Sequence, residues 1–67
     1  MMINEGQKIK LRTDEIARIV EVFNDGEAFM AEVFKFGGGI DIQTIMPIDI
    51  ASVFVENEIP IEKYAVS

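Results

Sequence analysis

A small all-β domain of five short strands is the fold class this sequence predicts. Three observations lead there. The segment Gln7–Arg12 alternates, with Ile9 and Leu11 on one side and Lys8, Lys10 and Arg12 on the other, as a half-buried strand does. Two runs rich in β-branched and aromatic residues, Ile16–Phe23 and Ala28–Phe36, flank Asn24-Asp25-Gly26-Glu27. Asp-Gly suits a type I′ turn, whose two central residues need positive φ. Gly37-Gly38-Gly39 and Met46-Pro47-Ile48-Asp49 then punctuate the second half into further short runs.

The elements follow in order. Gln7–Arg12 is the first strand and Thr13-Asp14-Glu15 a polar break. Ile16–Phe23 and Ala28–Phe36 form the central hairpin. A two-residue turn at Asp25-Gly26 pairs Phe23 with Ala28, Val22 with Phe29, Glu21 with Met30 and Val20 with Ala31. One face then carries Val20, Val22, Phe29, Ala31 and Val33 as the core. The other carries Ile19, Phe23, Ala28, Met30 and Phe34, interrupted by Glu21 and Glu32. A slip of one residue would exchange the two faces.

The triple glycine reads as a loop, because a phosphate cradle needs a following helix N-terminus. Ile40-Asp41-Ile42-Gln43, which follows it, alternates like a strand. Pro47 fixes φ and removes a ladder donor, so Met46–Asp49 reads as a turn or a short 3₁₀ segment. Ile50–Glu56 reads as the last core strand, with a helix over Pro47–Phe54 as the rival. Asn57–Ser67 is an added strand, a docked arm or a tail, and Pro60 argues against a central strand there. The expected architecture is an SH3-like barrel over residues 1–56 with a C-terminal arm over 57–67.

Three pieces carry a resemblance. They are Gly6-Gln7-Lys8-Ile9-Lys10-Leu11, the central Ala17-Arg18-Ile19-Val20-Glu21-Val22-Phe23-Asn24-Asp25-Gly26-Glu27-Ala28-Phe29, and Ile45-Met46-Pro47-Ile48-Asp49-Ile50. Together they resemble short bacterial SH3-like, KOW-like β-barrel proteins of unassigned function. Ala17 stands where such proteins often open the second strand with Gly. The resemblance implies the fold and carries no catalytic residue.

Composition narrows the function. A chain of 67 residues buries only about 60% of its unfolded surface. It has no Cys and no His, so neither disulfides nor a zinc site can support it. Apolar packing must, and 49% of residues are hydrophobic. No stretch approaches the roughly 18 apolar residues of a membrane span. The N-terminus lacks the basic and apolar regions of a signal peptide, and the expected location is the cytoplasm.

Nucleophiles and proton shuttles are scarce: no His, no Cys, and only Ser52 and Ser67 among serines. Glu21 and Glu32 could make a carboxylate pair, but a barrel this small has little room for a concave site, and the chain is read as a non-enzyme. No cofactor and no metal are expected. Asn24–Glu27 lacks the alternating acids and the distant bidentate Glu of a calcium loop.

Charge is lopsided. Residues 1–23 balance four basic against four acidic groups, while residues 24–67 hold two against eight, so the whole net charge of −6 lies in the later part. Direct nucleic-acid binding is disfavoured, since Lys and Arg supply that affinity. The expected partner is a protein with a basic surface. Asp25, Glu27, Glu32, Asp41, Asp49, Glu56, Glu58 and Glu62 would stand in for phosphates, as in a DNA-mimic, anti-CRISPR or anti-restriction inhibitor. Phe23, Met30 and Phe34, surplus to the core, would anchor the contact. That surplus could instead be covered by Ile59, Ile61 and Tyr64 of the tail, or by a homodimer. The alternative function is an accessory module in a transcription, translation or toxin–antitoxin assembly, contacting its partner through Lys8, Lys10 and Arg12.

Overall fold

The computed structural model describes residues 3–54. They form five antiparallel strands: β1 (Lys8–Leu11), β2 (Ile16–Phe23), β3 (Ala28–Phe34), β4 (Ile40–Ile45) and β5 (Ile50–Val53). The fold is all-β, as the alternation and turn signals lead one to expect. All five strands lie in one sheet of order β4-β3-β2-β1-β5. The arrangement is consistent with a small SH3-like fold, but the sheet does not close: β4 and β5 are its two edges among the described residues. The arm expected over residues 57–67 lies outside the described residues.

One face of the sheet makes the core. Ile9, Leu11, Ala17, Ile19, Phe29, Ala31, Val33, Ile45 and Ile50 are buried there in one cluster with Ile3, and Val22 and Val53 pack against it. Residues of both edge strands meet in that cluster, so the sheet curls around its own apolar face. No polar or charged residue is buried among those described, so the core rests on apolar transfer and packing alone.

The hairpin keeps the expected positive-φ pair at Asp25-Gly26, but its connection runs four residues, 24–27, instead of two. Asp25 and Gly26 have φ of 58° and 105°, and the Glu27 N–H donates to the Asn24 carbonyl at 3.3 Å. Positive φ at both central residues is what a type I′ turn requires. Asn24 is also left-handed, with φ of 47°, so the ladder ends at Phe23 and Ala28 rather than at Asn24 and Glu27.

The expected pairs Phe23–Ala28, Val22–Phe29 and Glu21–Met30 are present. The next one is not. The register shifts between Ile19 and Glu21, and Ala31 faces Ile19 instead of Val20. Val20 is the extra residue of a β-bulge and is 43% exposed, while Ile19, expected on the outer face, is 1% exposed. The bulge restores the apolar alternation: Ala17, Ile19 and Val22 point inward, and Val20 is set aside. Ile19 is irregular on its other side too. It accepts from the Gly6 N–H at 2.7 Å and donates to the Gln7 carbonyl at 2.9 Å. Two residues of the N-terminal segment thus oppose one. Gly6 has φ of 86°, a conformation glycine adopts without the Cβ penalty.

Boundaries differ elsewhere. β3 stops at Phe34, and Lys35–Gly39 is the connection. Ile50–Val53 is a strand, which excludes the rival helix over Pro47–Phe54; only Pro47–Asp49 makes a single 3₁₀ turn. That turn is held by Asp49, whose carboxylate accepts from the Met46 N–H at 2.9 Å. Arg12 fastens it to β1. Its N–H donates to the Asp49 carbonyl at 2.9 Å and its Nε to the Ile48 carbonyl at 2.6 Å.

Glu15 and Lys35 join the β1–β2 and β3–β4 connections through a 2.6 Å ion pair. The hydrogen bond from Lys35, and a second from Thr13, hold the Glu15 carboxyl below its ordinary value of 4.5. The same bond, donated by Lys35 to the Glu15 carboxylate, holds Lys35 above 10.5. A depressed acid contributes stability above its unfolded value and loses it as pH falls through the folded one. A raised amine contributes below its unfolded value and loses it as pH rises. The pair therefore acts fully between those limits. Glu15→Gln should lower the urea midpoint slightly at about pH 7, and the difference from the native chain should vanish as pH falls through the lowered Glu15 value. A difference that persists in acid would show that Glu15 acts by packing instead.

Candidate interaction surface

The face turned away from the core carries the candidate surface. Pairing gives it three cross-strand rows. Ser52, Lys10, Ile16, Phe34 and Ile40 lie opposite one another across β5, β1, β2, β3 and β4. Lys8, Arg18, Glu32 and Ile42 make the next row, and Glu21, Met30 and Thr44 the third. The face is basic over β1, mixed at Arg18 and Glu32, and apolar over the β3–β4 side.

The apolar end is exposed. Ile40 is 57% and Ile42 56% exposed, beside the half-buried Phe34 and Met30. This inverts the usual use of an alternating strand. Ile45 must point inward to be buried against Phe29, its partner in β3. Period two then places Gln43 and Asp41 on the core side of the sheet and Ile40, Ile42 and Thr44 on the outside. At that rim Gln43 and Asp41 meet each other, Nε2 donating to Oδ2 at 2.9 Å.

The expected anchors Met30 and Phe34 do lie on the outer face, as expected from the hairpin. Phe23 sits with Ala28 at its turn end, half-buried. Sequence reasoning missed Ile40 and Ile42. The alternation that revealed their strand implies by itself that they face inward; only the inward Ile45, five and three residues later, shows otherwise.

The acids are dispersed. Asp25 and Glu27 project from the hairpin turn and are exposed. Glu32 lies opposite Arg18, not opposite Glu21, which faces Met30. Asp41 is on the core-side rim of β4, and the Asp49 carboxylate caps its own turn. Glu56, Glu58 and Glu62 lie outside the described residues, as do Ile59, Ile61 and Tyr64. Among the described residues no group of three or more carboxylates could hold a metal ion.

Cations gather better. Lys8 and Arg18 are direct cross-strand partners, with Lys10 next on the same face. Arg18 is held by its Nη1 donating to the Gly6 carbonyl at 3.1 Å, and Lys10 lies 3.5 Å from Asp14. Asn4, Glu5, Gly6, Gln7, Lys8, Arg18 and Phe54 line an open cleft of about 450 Å³. Arg12, expected beside Lys8 and Lys10, is committed to the Ile48 carbonyl; Arg18 takes that place.

No helix among the described residues is long and apolar enough to cross a membrane. No protein-family model, curated protein or solved structure matches the chain.

Proposed function

We propose that the protein is a non-enzymatic, acidic binding module that occupies a basic, nucleic-acid-binding surface of a target protein in the cytoplasm. The supporting observation is the outer strip of Met30, Phe34, Ile40 and Ile42, two of them more than half exposed, flanked by Glu21 and Glu32. A solvent-facing apolar strip beside carboxylates suits a contact in which apolar side chains supply affinity and charge supplies orientation and rate. Asp25 and Glu27 at the turn, and Asp41 at the far rim, extend the negative charge around it. Asp49 is a structural cap in this reading.

The test is capture from nuclease-treated bacterial lysate on the immobilised chain. A nucleic-acid-binding protein should be retained at low salt, released at about 0.5 M NaCl and displaced by a short DNA duplex. A folded Glu27→Lys, Glu32→Lys, Asp41→Lys variant should retain at least about tenfold less, through reversed steering and repulsion. Retention that ignores salt, duplex and charge reversal would sink the reading.

One observation favours a second reading, an accessory module in a larger assembly. Lys8, Lys10 and Arg18 form a basic corner next to Phe54 and the cleft. Lys8→Glu with Arg18→Glu would then abolish partner capture, whereas the acid reversals would not.

A further inference from the structure

We propose that β4 is a self-association edge through which two copies of the chain pair antiparallel, joining their sheets across a two-fold axis at Ile42. This stands apart from the acidic-module reading and makes the opposite prediction for salt.

An edge strand is a template for another strand unless it is short, bulged, charged, interrupted by Pro or covered by another segment. Among the described residues β4 is neither short, bulged nor interrupted by Pro, and its one inward charge, Asp41, is met by the Gln43 amide. It runs six residues, Ile40–Ile45, in unbroken register with β3. It contains neither Lys nor Pro, and four of its six residues are β-branched or apolar Ile and Thr. The opposite edge differs: β5 has four residues and a register shift against β1.

The ladder fixes which groups β4 offers. The Lys35 N–H donates to the Gly39 carbonyl at 3.1 Å. Antiparallel alternation then turns Asp41, Gln43 and Ile45 toward β3, and turns the N–H and C=O of Ile40, Ile42 and Thr44 to the open side. Those backbone groups emerge between the most exposed apolar side chains of the outer face.

Only one two-fold register uses all three outward residues. It pairs Ile42 with Ile42 of the second copy and Ile40 with Thr44 in both directions. Asp41 then faces Gln43 of the other chain, repeating between copies the amide–carboxylate contact seen within one at 2.9 Å. Shifting the axis to position 41 would set Asp41 against Asp41, which like-charge repulsion disfavours. Shifting it to 43 would leave Ile40 unpaired. Self-complementarity of this kind is what an isologous contact demands.

The contact is small, so the dimer is weak and concentration-dependent. Each copy carries −6, so added salt screens the mutual repulsion and strengthens pairing.

The chain has no cysteine, which allows a direct test on the full chain. Residues in a hydrogen-bonded antiparallel pair have Cα atoms about 5.5 Å apart, within disulfide range. Ile42→Cys should oxidise to a covalent dimer, and Gln43→Cys, displaced from its own copy by the register, should not. In sedimentation, the native dimer fraction should rise several-fold between about 0.05 M and about 0.5 M NaCl. Ile42→Lys should be monomeric throughout with an unchanged far-ultraviolet spectrum. A native chain that stays monomeric at all salts, or equal cross-linking of Ile42→Cys and Gln43→Cys, would overturn the proposal. Another occupant, residues 55–67 or a different protein, would then cover the edge.

Discussion

Phe29→Ala should be the most damaging single truncation in the chain, costing about 3–5 kcal/mol. Phe29 is the one phenylalanine of the five in the buried cluster, at 3% exposure. It pairs with Val22 on one side and Ile45 on the other, on the strand next to the β4 edge and near the hairpin turn. Stability of a domain this size is roughly 3–10 kcal/mol, so the variant should be substantially unfolded at room temperature. Phe36→Ala is the internal control. Phe36 lies in the β3–β4 connection at 78% exposure, and its loss should stay within about 0.5 kcal/mol. Urea denaturation of both variants decides the matter. Equal effects would mean that the aromatic core is not at Phe29.

The adjacent pair Ile19 and Val20 carries the second large effect. Ile19→Asp should abolish folding, because it would bury an unpaired carboxylate among Ala17, Ala31 and Val33. Val20→Asp, one residue on, should cost less than about 1 kcal/mol, since the bulge sets its side chain toward solvent. A regular hairpin extended from the turn would reverse the two outcomes. Circular dichroism of the two variants therefore reads the register of β2 directly. A native-like Ile19→Asp beside an unfolded Val20→Asp would remove the bulge.

This pair also shows where the sequence was legible and where it was not. The class, the strand count and the Asp25-Gly26 turn follow from local chemistry: positive φ, β-branched runs and period two. The first three hairpin pairs follow from the turn. The bulge does not, because Ile19 and Val20 are chemically near-equivalent and nothing local marks which is extra. Only the competition for core space among Ala17, Ile19 and Val22 decides it. β4 fails in the same way. Its alternation is plain, but its facing is set by the burial of Ile45 against Phe29, a tertiary contact. The candidate surface was legible at Met30 and Phe34, whose face follows from the near end of the hairpin. It was not at Ile40 and Ile42, whose face depends on a strand pairing. The acids were visible as a total, but their dispersal, with Asp49 used as a cap and Glu32 set against Arg18, belongs to the folded chain.

The strand order has a consequence for how the molecule assembles. β1 to β4 are sequential neighbours, each joined to the next by a short connection, whereas β5 must return across the whole meander to lie beside β1. Local pairings close small loops and form early; the β1–β5 pairing closes a long one and carries its entropy. The meander is thus the natural nucleus, started by the hairpin whose turn is already left-handed at Asn24, Asp25 and Gly26. β5, with four residues and an irregular ladder, is expected to dock last. The Arg12 clasp on the Pro47–Asp49 turn reinforces the β1–β5 ladder that ties that strand to the meander.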